Sequence, residues 1–429
     1  MNLIKLEIHK LFGLLDYELP LDKDEITMLT GPNGYGKTMI LKIINSILSN
    51  KLNILCKLKF ESIFLHFQGG GVSIQHGDKD NTLNLEHYDS DSNIFAFENL
   101  ELETELVKNN DLVIFQWSSE ETKRTYKNVK EKQLSSEILS FLTSDEIVSF
   151  IRADRLQAEE GNESVIDSCA SKLKNLMETA QDESAALSQK LDATFPIRLF
   201  ERLEQQKRFS STNIQARLSG IQDKRRNYMH YGLIHSEDNL MPDKSTSLNS
   251  SNEYLGVLDL YIEDALGKLS PFQILHQKID LFESILKEKI LAFKNVVIDR
   301  ENGFYFRSLS GDVVERNSLS SGEQNQIVLL FNLIFDLATQ KVILIDEPEI
   351  SLHVAWQQTF LDSLKKIQKI NEYEKVIIAT HSPQVISKNW PLTYDLFEIL
   401  KIKIVCIMKQ KDVLNDIFTR CTWGRRLAQ

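Results

Sequence analysis

The spacing of hydrophobic and polar positions along the chain predicts a mixture of strands and helices. Residues Leu3 to Phe12 alternate as a half-buried strand does and lead into Gly13. Residues 25–30 read as a short strand. The apolar runs 342–345 and 376–379 are typical of parallel strands buried on both faces. One helix face is indicated by apolar residues at positions 40, 43, 44, 47 and 48. The pattern therefore predicts an α/β fold.

A second set of strand-like stretches lies between about residues 55 and 120. Ser62–Phe67 and Leu112–Phe115 are examples, and turn signals such as Gly69-Gly70-Gly71 separate them. We expect an antiparallel β-subdomain here. Further along, Asn302-Gly303 stands between two short apolar runs and predicts a hairpin with a two-residue turn.

Residues from about 158 to 295 are polar and helix-rich, with a loop-like break at Asp238–Asn252. The last part carries apolar residues at steps of three or four, which indicates a helical seam. The seam either packs on its own domain or belongs to an antiparallel helical pair that projects from the core. Its residues are Leu275, Ile279, Phe282, Leu286, Ile290 and Phe293.

Composition is that of an ordinary globular protein, with 42% hydrophobic and 26% charged residues among 429. No apolar run is long enough to cross a membrane, so we expect a cytoplasmic protein without a membrane partner. The net charge of −11 disfavours non-specific nucleic-acid binding by the whole surface. Residues Lys224–Tyr228 are either a local basic patch or a solvated helix face. The scattered cysteines suggest reduced thiols rather than a zinc site or disulfides; they are Cys56, Cys169, Cys406 and Cys421.

The most informative motif follows the strand at residues 25–30. Gly31-Pro32-Asn33-Gly34-Tyr35-Gly36-Lys37-Thr38 matches G-x-x-x-x-G-K-[ST] and opens a helix, which is the context of a phosphate-binding P-loop. The glycines allow backbone N–H groups to turn toward a phosphate, and the helix N-terminus adds positive potential. We expect ATP to contact Asn33, Gly34, Gly36, Lys37 and Thr38, and the Thr38 hydroxyl to ligate Mg²⁺.

Two carboxylates end the strand at 342–345. Asp346 suits a direct or water-mediated role in binding Mg²⁺, and Glu347 suits a catalytic role in orienting and deprotonating the attacking water. An acidic pair after a strand is often a plain loop, but a P-loop in the same chain favours the functional interpretation.

Two further motifs flank these carboxylates. Leu319-Ser320-Ser321-Gly322-Glu323-Gln324 opens an apolar helix, Ile327–Phe335, so Ser321, Gly322 and Glu323 form a second candidate phosphate contact. An ordinary serine N-cap is the alternative. His381 follows the strand 376–379 and is a candidate catalytic residue.

Together these motifs resemble those of ABC-type ATPases, whose signature is written here as Leu319–Gln324. The resemblance implies a head-to-tail dimer, or a larger assembly, with ATP held between the P-loop of one copy and the signature of another. It also implies that His381 contacts the γ-phosphate and that a Q-loop glutamine contacts Mg²⁺. Gln157 is the candidate for that role, with Arg152 and Arg155 as rivals and a plain surface glutamine as the alternative. The implied segments are an ATPase lobe at 1–157, a helical insertion at 158–295, a second lobe at 296–390 and a tail at 391–429.

The stretches Glu347–His353 and Thr380–Pro383 look like the SMC, RecF and OLD branch rather than transporter ATPases. The P-loop, together with Ile151–Arg155 and Leu191–Pro196, further resembles the PtuA-like ATPases of bacterial anti-phage systems such as Septu and some retrons. Those ATPases work with a separate HNH nuclease. Because no D-x-D pair follows His381 and no H-N-H constellation is visible, we expect any nuclease to act in trans. A DNA-repair ATPase of RecF or SMC type, which would bind nucleic acid, and a slow-turnover assembly scaffold are the alternatives.

Overall fold

The chain divides into two compact units. The first comprises Met1–Ala153, Thr339–Ile350 and Glu372–Gln429, and the second comprises Asp154–Ala338 and Ser351–Asn371. The four segments expected from the sequence stay a prediction. The computed structural model describes residues 3–22, 25–79, 81–91, 93–102, 104–106, 113–115, 124–126, 129–131, 134–140, 147–156, 164–204, 210–234, 252–289, 291, 293–337, 341–350 and 352–398.

Strands occur in both units. In chain order they are β1 Leu3–Leu11, β2 Leu15–Pro20, β3 Ile26–Thr30, β4 Ser62–Phe67, β5 Gly70–His76, β6 Thr82–Asp89, β7 Ile94–Glu101, β8 Thr104–Leu106, β9 Val113–Phe115, β10 Arg124–Tyr126, β11 Val129–Glu131, β12 Val148–Ile151, β13 Lys294–Asp299, β14 Gly303–Ser308, β15 Val313–Val314, β16 Val342–Asp346, β17 Lys375–Ala379 and β18 Thr393–Asp395.

Helices range from a single turn to forty residues. They are α1 Lys37–Leu48, α2 Asn53–Lys57, α3 Glu137–Ser140, α4 Val165–Glu204, α5 Ser211–His230, α6 Asn252–Leu269, α7 Phe272–Lys289, α8 Ser321–Phe331, α9 Val354–Gln357, α10 Phe360–Asn371 and α11 Pro383–Ile386. A π-helical turn, Asn332–Asp336, continues α8. None of the described helices is long and apolar enough to cross a membrane.

A five-stranded parallel sheet organises the first unit. Its order is β12-β16-β17-β3-β18. The predicted short strand forms β3, and the apolar runs predicted as buried strands form β16 and β17; the residues of all three strands are buried. Their register places Asp346 beside Ala379, and Ala379 beside Leu29, so the carboxyl ends of three strands reach one edge. In open parallel sheets this edge is where ligands bind.

An antiparallel six-stranded sheet completes the core of this unit, in the order β2-β1-β4-β5-β6-β7. The predicted β-subdomain is thus larger than expected, because β1 pairs with β4, the first strand after α2, and β2 pairs with β1. One continuous hydrophobic cluster includes side chains of this sheet, of α1 and of the parallel sheet. The α/β fold class, with an antiparallel sheet and a helical segment, is confirmed.

The second unit is built around α4, which packs against α6, α7, α8 and β14. The predicted seam residues of α7 are buried, and α7 also packs on α10, which agrees with a helix packed within its own unit. The seam was predicted to reach Phe293, and this was wrong. The helix ends at Lys289, and Phe293 is 79% exposed with a left-handed φ of 60°. Ile290 lies outside the described residues.

The hairpin β13–β14 is present, but its predicted two-residue turn was wrong. Asp299 pairs with Gly303, so three residues separate the strands. The Asp299 carboxylate accepts a hydrogen bond from the Asn302 N–H at 2.7 Å and thereby stabilises the longer turn. Gly303 has φ 68°, and a Cβ there would lie 2.0 Å from the carbonyl oxygen of Ala170 in α4. The close approach of α4 therefore requires glycine at this position.

Candidate nucleotide-binding site

The P-loop connects β3 to α1 at the carboxyl edge of the parallel sheet. Gly36 is the N-cap of α1 and has φ 76°, a conformation that strains other residues. A Cβ at Gly36 would also lie 3.1 Å from Leu11 Cδ2 in β1. Asn33 and Gly34 are exposed at the crest of the loop, ahead of the helix start. The loop is therefore fixed at one end and accessible at its crest, as a phosphate-binding loop needs to be.

Lys37 lies across the loop that precedes it. Its Nζ donates hydrogen bonds to the carbonyl oxygens of Gly31 at 2.8 Å and Pro32 at 3.0 Å. Burial lowers the pKa of the Lys37 ammonium, whereas the charges of Glu347 and Asp346 act in the opposite direction. The ammonium is thus held next to the loop, and the carboxylates at the end of β16 act on its charge.

Thr38 and Asp346 place two side-chain oxygen groups next to each other. The Thr38 hydroxyl donates to Asp346 Oδ1 at 2.9 Å, which joins the first turn of α1 to the end of β16. Burial raises the pKa of the Asp346 carboxyl and the charge of Glu347 adds to this, while the Thr38 hydrogen bond opposes both. Hydroxyl and carboxylate oxygens suit Mg²⁺, which takes few protein ligands when phosphates supply the others. Across the described ranges, no group of three or more His, Cys, Asp or Glu residues could hold a metal ion without such help.

Glu347 has a strained backbone. Its φ of 44° lies in the left-handed region, which a residue with a long side chain rarely adopts. Its N–H bonds to the carbonyl oxygen of Ala379 at 2.9 Å, and its Oε1 lies 3.6 Å from Nε2 of His381. Both side chains are about one-third exposed. Strain of this kind is often found at functional sites, and here it directs a carboxylate to the open edge of the sheet.

No role was assigned to Glu349 from the sequence alone. The signal that could have identified it is a second carboxylate two residues after Glu347, in Glu347-Pro348-Glu349. Glu349 Oε1 accepts a hydrogen bond from the backbone N–H of His381 at 2.6 Å. Its Oε2 is buried and has no hydrogen-bond partner among the described groups. Glu349 is therefore placed to hold the His381 backbone in position beside Glu347.

We predict that Glu349→Ala lowers the kcat of ATP hydrolysis about tenfold or more with little change in KM, because a charge-assisted hydrogen bond that positions His381 is lost. Glu349→Gln keeps an acceptor oxygen and should stay within a few-fold of the unsubstituted protein. The effect of Glu349→Ala should vanish in a His381→Ala background, since coupled residues are not additive. Asp362→Ala, which removes an exposed carboxylate on α10, is the control. Full additivity of the two substitutions would contradict this role.

The signature segment lies in the second unit. Ser320 is the N-cap of α8 and forms a reciprocal capping box with Glu323. The Glu323 carboxylate also pairs with Lys294 at 2.8 Å, so internal contacts already occupy the side chain that was predicted to touch nucleotide. Ser321 is exposed, and the N–H groups of Ser321 and Gly322 precede the first helical hydrogen bond, from Gln324 to Ser320. These two residues keep the backbone groups that an anion could bind.

Gln157, its two rivals and the basic stretch are the other residues for which the sequence offered a role. Gln157 lies outside the described residues. Its rival Arg155 is buried, whereas Arg152 is exposed. In the basic stretch, Tyr228 is buried and packs on Phe272 and His276, so its ring is not available to stack on a base. This favours the solvated helix face for residues 224–227.

Comparison with known proteins places the chain in a family. None of the curated proteins matches it. Among solved structures, the SMC head domain from Thermotoga maritima aligns with 11% identity over 90% of this chain and 91% of that one, at a TM-score of 0.32. A Smc head domain with a coiled coil and joint from Pyrococcus yayanosii aligns with 15% identity, 90% and 93% coverage and a TM-score of 0.36.

RecF-ATP of the RecFOR pathway is another weak match, with 10% identity, 89% and 93% coverage and a TM-score of 0.31. A family model described as AAA ATPase domain (AAA_15) matches residues 1–386, which is most of the chain. The chain is an ATPase and belongs to the AAA ATPase domain family.

Proposed function

We propose that this ATPase is of the ABC type found in the SMC, RecF and OLD branch, that two copies enclose ATP head to tail, and that it regulates or scaffolds a separate nuclease in anti-phage defence. One observation carries the first part. The P-loop, Asp346, Glu347 and His381 meet at one edge of a single parallel sheet. That arrangement supplies a phosphate cradle, a metal-binding pair and a candidate base together.

Each residue at this edge has a proposed role in ATP hydrolysis. The loop N–H groups and Lys37 Nζ balance the negative charge of the β- and γ-phosphates. Thr38 and Asp346 would hold Mg²⁺, which when bound neutralises charge on the phosphate oxygens. Glu347 accepts a proton from the water that attacks the γ-phosphate, and His381 contacts that phosphate from the neighbouring strand. Glu349 keeps His381 in place.

The signature segment is the reason for proposing a second copy that faces the first, since it offers a second phosphate-binding group. The start of α8 offers the N–H groups of Ser321 and Gly322, and Ser321 is exposed. A helix start of this kind attracts a phosphate. The capping box and the Lys294 pair fix its geometry, so it is ordered before it meets a nucleotide.

Mixing two inactive variants tests this proposal. Lys37→Ala removes the P-loop lysine, and Ser321→Arg blocks the signature. In a mixed dimer one pocket combines both defects, whereas the other has an intact P-loop and an intact signature. We expect the mixture to recover part of the ATPase activity, or to retain one ATP per dimer if hydrolysis requires both pockets. If mixed dimers form but neither ATPase activity nor retained ATP is recovered, the proposal that two copies share each ATP pocket is wrong.

Ser211→Arg is the matched control, because Ser211 is also the first residue of a helix, α5, and follows a serine at the N-cap position. It should not reduce ATPase activity.

The proposed role in defence rests on the resemblance of the P-loop and of the stretches 151–155 and 191–196 to PtuA-like ATPases. Co-purification with a small HNH nuclease supports that role. Stimulation of the ATPase by duplex DNA would support a repair function instead, and ATP binding without turnover would support a scaffold.

A further inference from the structure

The outer face of the distal half of α4 carries exposed apolar side chains. Ile197 and Phe200 are 64% and 67% exposed. Lys190, Ala193 and Glu204 are exposed on the same face. These five residues are called the α4 seam. Exposed aliphatic and aromatic side chains grouped on one helix face are a mark of an interaction surface.

The opposite face of α4 is already used within the unit. Arg198 pairs with Asp264, and Arg202 pairs with Asp259. Ser184 donates to the carbonyl oxygen of Lys268 at 2.7 Å. These contacts run antiparallel along α6 and fix which side of α4 faces outward. The side chains of the α4 seam form no hydrogen bond or ion pair with any described residue.

The spacing of the α4 seam is that of a coiled-coil contact. Its residues follow one another at steps of three, four, three and four, so that they form one line along the helix. Ile197 stands at the centre, with Lys190 seven residues before it and Glu204 seven residues after it. The seam therefore has a positive end, a negative end and an apolar middle.

Two copies of the α4 seam are complementary in charge when they run in opposite directions. If two copies meet antiparallel around a two-fold axis at Ile197, each Lys190 faces the Glu204 of the other copy. Each Phe200 ring lies over the small side chain of Ala193. A parallel arrangement would place lysine against lysine and glutamate against glutamate, which is unfavourable. The two-fold arrangement is isologous, so the contact closes on itself.

We propose that the α4 seam binds the α4 seam of a second copy of this chain, antiparallel and centred on Ile197. The contact uses neither the P-loop nor the signature, so it does not depend on the function proposed above. A chain that also encloses ATP between heads would then have two self-interaction surfaces and could form assemblies larger than a dimer. Because two short helix segments bury little area, we expect an affinity in the micromolar range, on the order of 10 µM.

Sedimentation velocity of the full chain without nucleotide tests the proposal. The unsubstituted protein should dimerise reversibly between about 1 and about 100 µM. Phe200→Asp should weaken the dimer at least about tenfold, since it places a charge in the apolar middle. Ile274→Asp, at an exposed apolar site on α7, and Lys224→Glu, on α5, are matched controls that should leave the dimer unchanged.

Charge exchange identifies the partner as a second copy. Lys190→Glu alone and Glu204→Lys alone should each be monomeric, because each brings like charges together. Mixed in equal amounts, they should associate, since every facing pair is then opposite in charge. A monomeric unsubstituted protein, or a dimer insensitive to Phe200→Asp, would overturn the proposal. Failure of the mixture to associate, while both variants remain folded by circular dichroism, would overturn it as well.

Discussion

Lys37→Ala is expected to abolish ATP binding. The ammonium group supplies a point charge and hydrogen bonds to the β- and γ-phosphates, and the P-loop offers no second cation at that place. Loss of charge-assisted hydrogen bonds to two phosphates corresponds to an affinity roughly a hundredfold or more lower. Isothermal titration calorimetry with ATP and Mg²⁺ measures the change directly.

The control for this substitution is Lys79→Ala, which removes an exposed lysine from a turn of the antiparallel sheet in the same unit. Its ATP affinity should equal that of the unsubstituted protein. Thermal unfolding of both variants separates lost binding from lost folding. A folded Lys37→Ala protein with normal ATP affinity would show that the P-loop assignment is wrong.

Glu347→Gln should retain ATP and stop hydrolysis. The amide keeps the shape of the side chain but cannot take a proton from water, and general-base catalysis contributes about 10²- to 10⁴-fold to such reactions. We therefore expect kcat to fall by about that factor while ATP affinity stays the same. Single-turnover hydrolysis and filter binding on the same preparation provide the two measurements.

Glu101→Gln, at an exposed position in β7, is the matched control and should hydrolyse ATP normally. Because Glu347 has a strained backbone, the melting temperature of the Glu347→Gln protein should be compared with that of the control. Normal turnover by folded Glu347→Gln would mean that another carboxylate is the base, and Glu349 would be the next candidate.

Much of the site was predictable because its parts are local. The P-loop needs only a strand, a glycine-rich turn and a helix, and all three lie within one short stretch around Gly36 and Lys37. The apolar runs before Asp346 and His381 indicate strands buried on both faces. Parallel pairing then brings their ends to one edge. That the Thr38 hydroxyl would reach Asp346 follows from this edge, once both strands are in the same sheet.

The features that the sequence could not provide depend on distant contacts. The turn before Gly303 is longer than predicted because Asp299 stabilises it and α4 approaches the backbone. Glu349 gains its role from a hydrogen bond to a residue on the next strand, which no local pattern encodes. The left-handed φ of Glu347 likewise depends on the neighbouring strand, through the bond to Ala379. The capping box of Glu323 and its ion pair with Lys294 are also contacts that the motif alone did not reveal, and its role at a nucleotide stays a prediction.

The edge strand β18 has a consequence for how much of the C-terminal region the ATPase can lose. It pairs with β3, placing Asp395 beside Thr30 at the start of the P-loop, and Leu396 is fully buried. A chain shortened before residue 393 would leave the hydrogen-bonding edge of β3 uncovered, and uncovered edges tend to pair with strands of other chains. The ring of Phe397 also lies edge-on to the ring of Tyr35 in the P-loop, with ring centroids 5.8 Å apart, so residues 393–397 all support the nucleotide loop. A truncation or fusion junction that interrupts residues 393–397 is therefore expected to disturb the nucleotide loop, although these residues carry none of the ATPase motifs.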